Sequence, residues 1–172
     1  LHPLAGQPDC TVGGVVKPNR MLEEPIDPYL PLNGNRGYRV SRYELELTYK
    51  VFSNRLAGKA VITAVTTESR SKFSFDLAQN LQVSKVSVNG ARGTKYAHLI
   101  NKLILTPSTK IPAGGALSVT IAYSGNPEPI KSLWGEVGWE ELDEGTLVAS
   151  QPNGAASWFP CDDHPISKAS YR

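Results

Sequence analysis

Residues 43–51 read Tyr43-Glu44-Leu45-Glu46-Leu47-Thr48-Tyr49-Lys50-Val51. Apolar side chains recur at every second position, with Glu44, Glu46, Thr48 and Lys50 between them. Side chains of an extended chain point alternately to opposite faces, so this period of two predicts a strand with one buried face. A helix would scatter the same residues around its circumference. Ser53-Asn54-Arg55 reads as a turn, and residues 57–67 carry Val61, Ile62, Val65 and several threonines. Such β-branched residues suit a pleated surface, and so short a connection predicts an antiparallel hairpin.

The pattern continues on both sides of that hairpin. Residues 72–77 place Phe73, Phe75 and Leu77 on one face, and residues 81–88 run into Asn89-Gly90. That dipeptide favours a type I′ turn because both residues tolerate positive φ. Residues 95–99 and 102–105 read as return strands, with Pro107 and Pro112 bracketing a polar connection. Residues 117–123 alternate Leu117, Val119, Ile121 and Tyr123 against Ser118, Thr120 and Ala122, and Gly125-Asn126-Pro127 ends the run. Residues 126–146 read as a long loop or irregular edge holding Trp134 and Trp139, and residues 147–149 as one more short strand. The fold expected is all-β, a saddle-like stack of antiparallel sheets resembling a sandwich, with no major helices. Residues 1–37, punctuated by Pro3, Pro8, Pro18, Pro25, Pro28 and Pro31, read as an irregular Pro/Gly-rich lead-in to a β domain spanning 38–172.

A chain of 172 residues can bury one proper core. Its 18 basic and 16 acidic residues are interspersed, for a net charge of +2. That leaves no basic patch of the kind that holds nucleic acid. No apolar run approaches the roughly 20 residues that a membrane-spanning helix needs. The sequence opens on Leu1 without the charged-then-apolar layout of a signal peptide, and secreted and cytoplasmic locations both fit. Cys10 and Cys161 belong to no Cys-x-x-Cys, which argues against a structural zinc site, and their neighbours do not suggest a disulfide between them.

Residues able to do chemistry are sparse. Zinc hydrolysis needs three protein ligands and an open position for water, often begun by two histidines four apart on a helix. His2, His98 and His164 are far apart, and none is followed by the glutamate that usually comes after the first histidine of such a pair, so no metal site and no catalytic residue is expected within this chain. Glu140-Glu141 and Asp143-Glu144 read as a solvated loop face. Asp162-Asp163-His164 is a conceivable metal or acid/base group, but neighbours on extended backbone diverge. There is no Gly-x-Ser-x-Gly elbow, and Gly13-Gly14 and Gly114-Gly115 lack phosphate-loop spacing. The most unusual stretch is 150–165, which mixes carboxamides, small residues, aromatics and prolines. If extended, it would project Gln151 and Asn153 to one side, where two carboxamides could donate and accept around a peptide end. The plainer alternative is a structured loop anchored by Trp158 and Phe159.

This last stretch carries a family resemblance. Gln151-Pro152-Asn153, then Trp158-Phe159-Pro160-Cys161-Asp162-Asp163-His164-Pro165, then Lys168-Ala169, resembles the signature that precedes the catalytic domain in the aminopeptidase N family, to which leukotriene hydrolase belongs. The strand starting at Tyr43 and the turn Asn54-Arg55-Leu56-Ala57-Gly58 are similar to that family's opening hairpin, and Asp27-Pro28-Tyr29 with residues 34–38 resembles a bacterial subgroup. The resemblance implies a saddle-shaped N-terminal domain followed by a thermolysin-like domain that carries the zinc and its ligands, outside this chain. It implies peptide substrates, with Gln151 in the place of a glutamine near the substrate side chain and Asn153 in the place of a glutamate that holds the free amine. This sequence departs from the pattern. Asn153 carries no charge and can bond an ammonium only as a neutral acceptor. The interval from Gln151 to Cys161 is shortened, and Ser157 or Trp158 replaces an arginine. The implied function is that of a non-catalytic N-terminal domain of a zinc aminopeptidase, which docks on its catalytic domain and lines part of the substrate pocket. The alternative is an interaction or scaffold domain whose parent has lost the zinc site.

Overall fold

The computed structural model describes residues 27 and 29–172, so Cys10, His2 and most of the lead-in lie outside the described residues. Strands β1 (Tyr38–Lys50) and β2 (Arg55–Thr66) form the expected hairpin, paired from Tyr38↔Thr66 to Lys50↔Arg55. β1 begins five residues before the alternation that announced it. The cause is a register shift between Val40 and Arg42. One extra residue there inverts the parity, so Tyr38 and Val40, at even positions, are buried on the same side as Tyr43. At the other end, Val51–Ser53 forms a 3-10 turn and Asn54 closes it in the left-handed region, at φ 41°.

β3 (Phe73–Asp76), β4 (Leu81–Val88), β5 (Ala91–Arg92), β6 (Lys95–Leu99), β7 (Lys102–Thr106) and β8 (Ala116–Gly125) follow. The Asn89-Gly90 turn has φ of 49° and 77°, both positive as a type I′ turn requires. Joining β6 to β7, Ile100 and Asn101 repeat that geometry at 47° and 60°. There a β-branched residue occupies a conformation it disfavours.

Residues 126–146, read as a loop from sequence, contain β9 (Ile130–Ser132) and β10 (Gly135–Leu142). They pair with β11 (Gly145–Ala149) into a small sheet of their own. The alternation is faint because most of this sheet is wet. In β10 only Gly138 and Trp139 are buried, so the sequence carries little apolar signal. Glu140, Glu141, Asp143 and Glu144 are exposed around the β10–β11 turn.

β12 (Ser170–Tyr171) completes the fold, running parallel to β1. The large sheet has the order β12-β1-β2-β8-β4-β5; the two three-stranded sheets are β3-β7-β6 and β11-β10-β9. None closes into a barrel, and the described residues include only two short 3-10 turns as helical elements. One continuous core joins Ala60, Ile62, Val119 and Ile121 of the large sheet to Phe73, Phe75, Leu103 and Leu105 of the second, with Trp139 and Phe159. Asn54 locks the third sheet to the hairpin. Its Oδ1 accepts from Trp139 Nε1 at 3.1 Å and Tyr49 Oη at 3.2 Å, and its Nδ2 donates to the Pro127 carbonyl at 3.0 Å.

Candidate functional site

The β11 strand delivers the chain to Ser150 and Gln151, both exposed. The backbone then bends through residues 151–153 instead of extending. Alternation therefore does not hold, and the two carboxamides do not share a face: Gln151 faces solvent while Asn153 is only 4% exposed. Asn153 Nδ2 donates to Asn33 Oδ1 at 3.1 Å, and its buried Oδ1 has no hydrogen-bond partner. Gln151 thus presents a free donor and acceptor outward, while Asn153 stands behind it.

Beyond the bend, the chain turns into the domain. Residues 155–157 make a 3-10 turn whose Ser157 Oγ donates to the Gly154 carbonyl at 2.7 Å and accepts the Trp139 N–H at 2.9 Å. The two backbones can approach this closely because position 138 is glycine. With φ at +97°, a Cβ there would lie 2.3 Å from Ser157 Oγ and 2.6 Å from the Gly154 carbonyl oxygen. Phe159 and Cys161 are each 1% exposed. Cys161 bridges Asp76 of β3 through two backbone hydrogen bonds of 2.7 and 2.9 Å. Most of 153–164 is therefore packed within the domain, with Phe159 as an anchor, and the motif is exposed at its two ends, at Gln151 and at Pro165 and Lys168.

Asp162, Asp163 and His164 diverge. Asp162 accepts the Asn35 N–H at 2.8 Å. Asp163 turns inward and accepts the Gly154 N–H at 2.9 Å and the Ala155 N–H at 3.2 Å. His164 Nδ1 accepts the Ile166 N–H at 3.3 Å, and its Nε2 lies 3.6 Å from Asp27 Oδ2. His98, on β6, meets the Leu77 carbonyl at 2.9 Å, a structural contact. Among the described residues no group of three or more His, Cys, Asp or Glu is placed to hold a metal ion, so the donor set here does not fit a zinc centre. No helix among them is long and apolar enough to cross a membrane.

The polar hub beneath the loop went unread in the sequence. Asp76, 2% exposed, pairs with Lys102 Nζ and accepts the Gly34 N–H at 3.0 Å, Asn35 Nδ2 at 2.8 Å and the Asp163 N–H at 2.9 Å. Lys102 also donates to the Gly34 carbonyl at 2.8 Å. Burial pushes the Asp76 carboxyl up to about 6, against the pull of Lys102 and the Asp163 N–H. Burial likewise raises Asp163, against the N–H groups of the turn it caps, and raises the Cys161 thiol. Asp76 sits in Phe73-Ser74-Phe75-Asp76-Leu77, where period-two reasoning assigns it a wet face. The signal that could have flagged it is the run Asp76-Leu77-Ala78, an acid followed without interruption by apolar residues. Asn33 and Asn35 lie in the lead-in, where no periodicity points to them.

No family model and no curated protein matches the sequence. Solved structures do. An M1 zinc metallopeptidase from Deinococcus radiodurans superposes with a TM-score of 0.73 at 28% identity, over 82% of this chain and 32% of that one. A variant of an M1 zinc metallopeptidase from the same organism, bound to a Tyr-Ser-Ala substrate, gives 0.74 at 27%, over 82% and 33%. A variant of a two-domain M1 zinc metallopeptidase bound to L-arginine gives 0.75 at 27%, with the same coverage. The chain spans about a third of the length of these structures. The resemblance read from the sequence is borne out: this chain is similar to M1 zinc metallopeptidases over most of its own length.

Proposed function

We propose that this chain serves as the non-catalytic N-terminal domain of a zinc-dependent aminopeptidase that removes N-terminal residues from peptides. Residues 1–37 form its lead-in and 38–172 the β domain. The observation that carries the reading is the outward Gln151, presented by an internally braced loop, in a chain similar to M1 zinc metallopeptidases at TM-scores of 0.73–0.75. The zinc and its ligands belong to the catalytic domain of the parent, outside this chain, and no catalytic step passes through residues described here.

In this reading Gln151 lines one wall of the substrate pocket. Its carboxamide donates and accepts at once, which suits the mixed polarity of a peptide's first residues. Asn153 backs that wall from within the domain, its buried Oδ1 left without a hydrogen-bond partner. The sheet that leads to Gln151 also exposes Leu133 and Trp134 at one end and Leu147 on β11. Exposed apolar groups on a small wet sheet suit a surface that a second domain covers, here the catalytic domain.

The test compares the purified 172-residue chain with its parent, each supplied with zinc, on an aminoacyl reporter. The parent is expected to turn the reporter over and the chain alone to be inert. Turnover by the isolated chain would overturn the non-catalytic assignment. A parent that binds no zinc and cleaves nothing would transfer the domain to the scaffold reading.

A further inference from the structure

We propose that Asn33 and Asp163 are positioning residues for peptide binding, holding the turn that presents Gln151. This rests on the pocket role given to Gln151 above. Among the described residues the Gln151 side chain makes no hydrogen bond of its own, so its placement depends on what fixes its neighbours. Two groups do this. The Asp163 carboxylate grips the two N–H groups that follow Asn153, Gly154 at 2.9 Å and Ala155 at 3.2 Å. The Asn33 carboxamide spans the loop, donating to Asp163 Oδ2 at 3.3 Å and accepting from Asn153 Nδ2 at 3.1 Å. It thereby ties the start of the loop to its end.

The brace is itself anchored. The N–H of Asp163 donates to Asp76 Oδ2 at 2.9 Å, in the hub that joins β3 to β7 through Lys102. Asp163 and Asn153 are 6% and 4% exposed, so water competes poorly for these bonds. A segment of the lead-in thus acts as part of the site while standing outside the signature motif.

A presenting loop that is ordered before binding spares the ligand the cost of ordering it. Loosening it weakens substrate and transition state alike, which raises KM and leaves kcat in place. A substitution that merely destabilises the fold does the reverse: it lowers the active fraction, hence apparent kcat, and leaves KM alone.

The experiment measures kcat and KM of the parent enzyme on a tripeptide for Asn33→Ala, Asp163→Asn and Gln151→Ala, with thermal melting of each. Gln151→Ala is expected to raise KM. Asn33→Ala and Asp163→Asn are expected to raise it about fivefold to twentyfold, the loss of one or two partly buried hydrogen bonds, with kcat held within about twofold. Should Asp163→Asn fail to fold, Asn33→Ala decides, since its side chain is only half-buried. An unchanged KM in Asn33→Ala beside a raised KM in Gln151→Ala overturns the positioning role. An unchanged KM in Gln151→Ala overturns the pocket reading, and this inference with it.

Discussion

Replacing Asn54 by alanine removes three hydrogen bonds and leaves a residue with a Cβ and no polar group at φ 41°. The costs separate. The Trp139 indole N–H loses its acceptor inside a residue that is 5% exposed, and an unpaired buried donor costs about 1–3 kcal/mol. The buried Pro127 carbonyl loses its donor, for about 1 kcal/mol. Tyr49 is only half-buried and can turn its hydroxyl to water, so its share is small. The left-handed backbone adds about 1 kcal/mol, because asparagine tolerates that region and alanine does not. Together these predict a loss of about 3–5 kcal/mol, a large part of the roughly 5–15 kcal/mol that stabilises an ordinary domain. Urea titration followed by tryptophan fluorescence and by far-UV circular dichroism measures it. Asn54→Gly isolates the backbone share: it loses the same hydrogen bonds but accepts the φ, and should be more stable than Asn54→Ala by about 1 kcal/mol. A midpoint for Asn54→Ala that corresponds to less than about 0.5 kcal/mol refutes the lock between the third sheet and the hairpin. Alanine matching or exceeding glycine refutes the backbone assignment.

Ile100→Asn should raise the melting temperature, gaining about 1 kcal/mol by placing a left-handed-tolerant residue at φ 47° on a side chain that is 81% exposed. An unchanged or lower melting temperature contradicts it. Asp76, raised by burial from 3.8 to about 6, binds its proton more tightly in the folded chain than in the unfolded one. Stability should therefore fall as pH rises from about 4 to about 6, by at most about 3 kcal/mol. Urea midpoints across that window should flatten in Asp76→Asn, and a wild-type profile that rises with pH contradicts the assignment. Asn153→Glu forces a carboxylate into a position 4% exposed, with a single neutral side-chain partner. It should cost about 2–5 kcal/mol by chemical denaturation near neutral pH, and a near-neutral effect shows that the side chain escapes to solvent.

β2, β7 and β8 were legible because one face of each is buried and the other wet, the condition under which period two survives in sequence; β1 kept its alternation although Tyr43 is the only buried residue of 43–51, and β6 has no buried residue. Asn89-Gly90 was legible because its conformation admits few residues. Ile100-Asn101 makes the same turn; its place showed as the gap between residues 95–99 and 102–105, but its left-handed geometry did not, since isoleucine is a residue that conformation disfavours. The start of β1 was hidden by the bulge after Val40, which inverts the parity of Tyr38 and Val40 relative to Tyr43. β9 and β10 were hidden because a sheet exposed on most of its surface leaves no apolar rhythm. At the site, the motif itself was conspicuous, but its geometry was not. Same-side projection of Gln151 and Asn153 presumed an extended chain where the backbone bends. The partners of that bend, Asn33 and Asp76, sit 120 and 87 positions from the residues they hold, beyond the reach of any local pattern.

These separations bear on any attempt to transplant the motif. Residues 150–165 contain only some of the groups that give them their shape, Asp163 among them. The acceptor for Asn153 comes from the lead-in, the amide acceptor for Asp163 from β3, and the donor to Ser157 from β10. Grafted onto another β scaffold, the segment would carry its letters and lose its contour. An exchange among relatives would have to move residues 33–35, 76, 102 and 138–139 along with it.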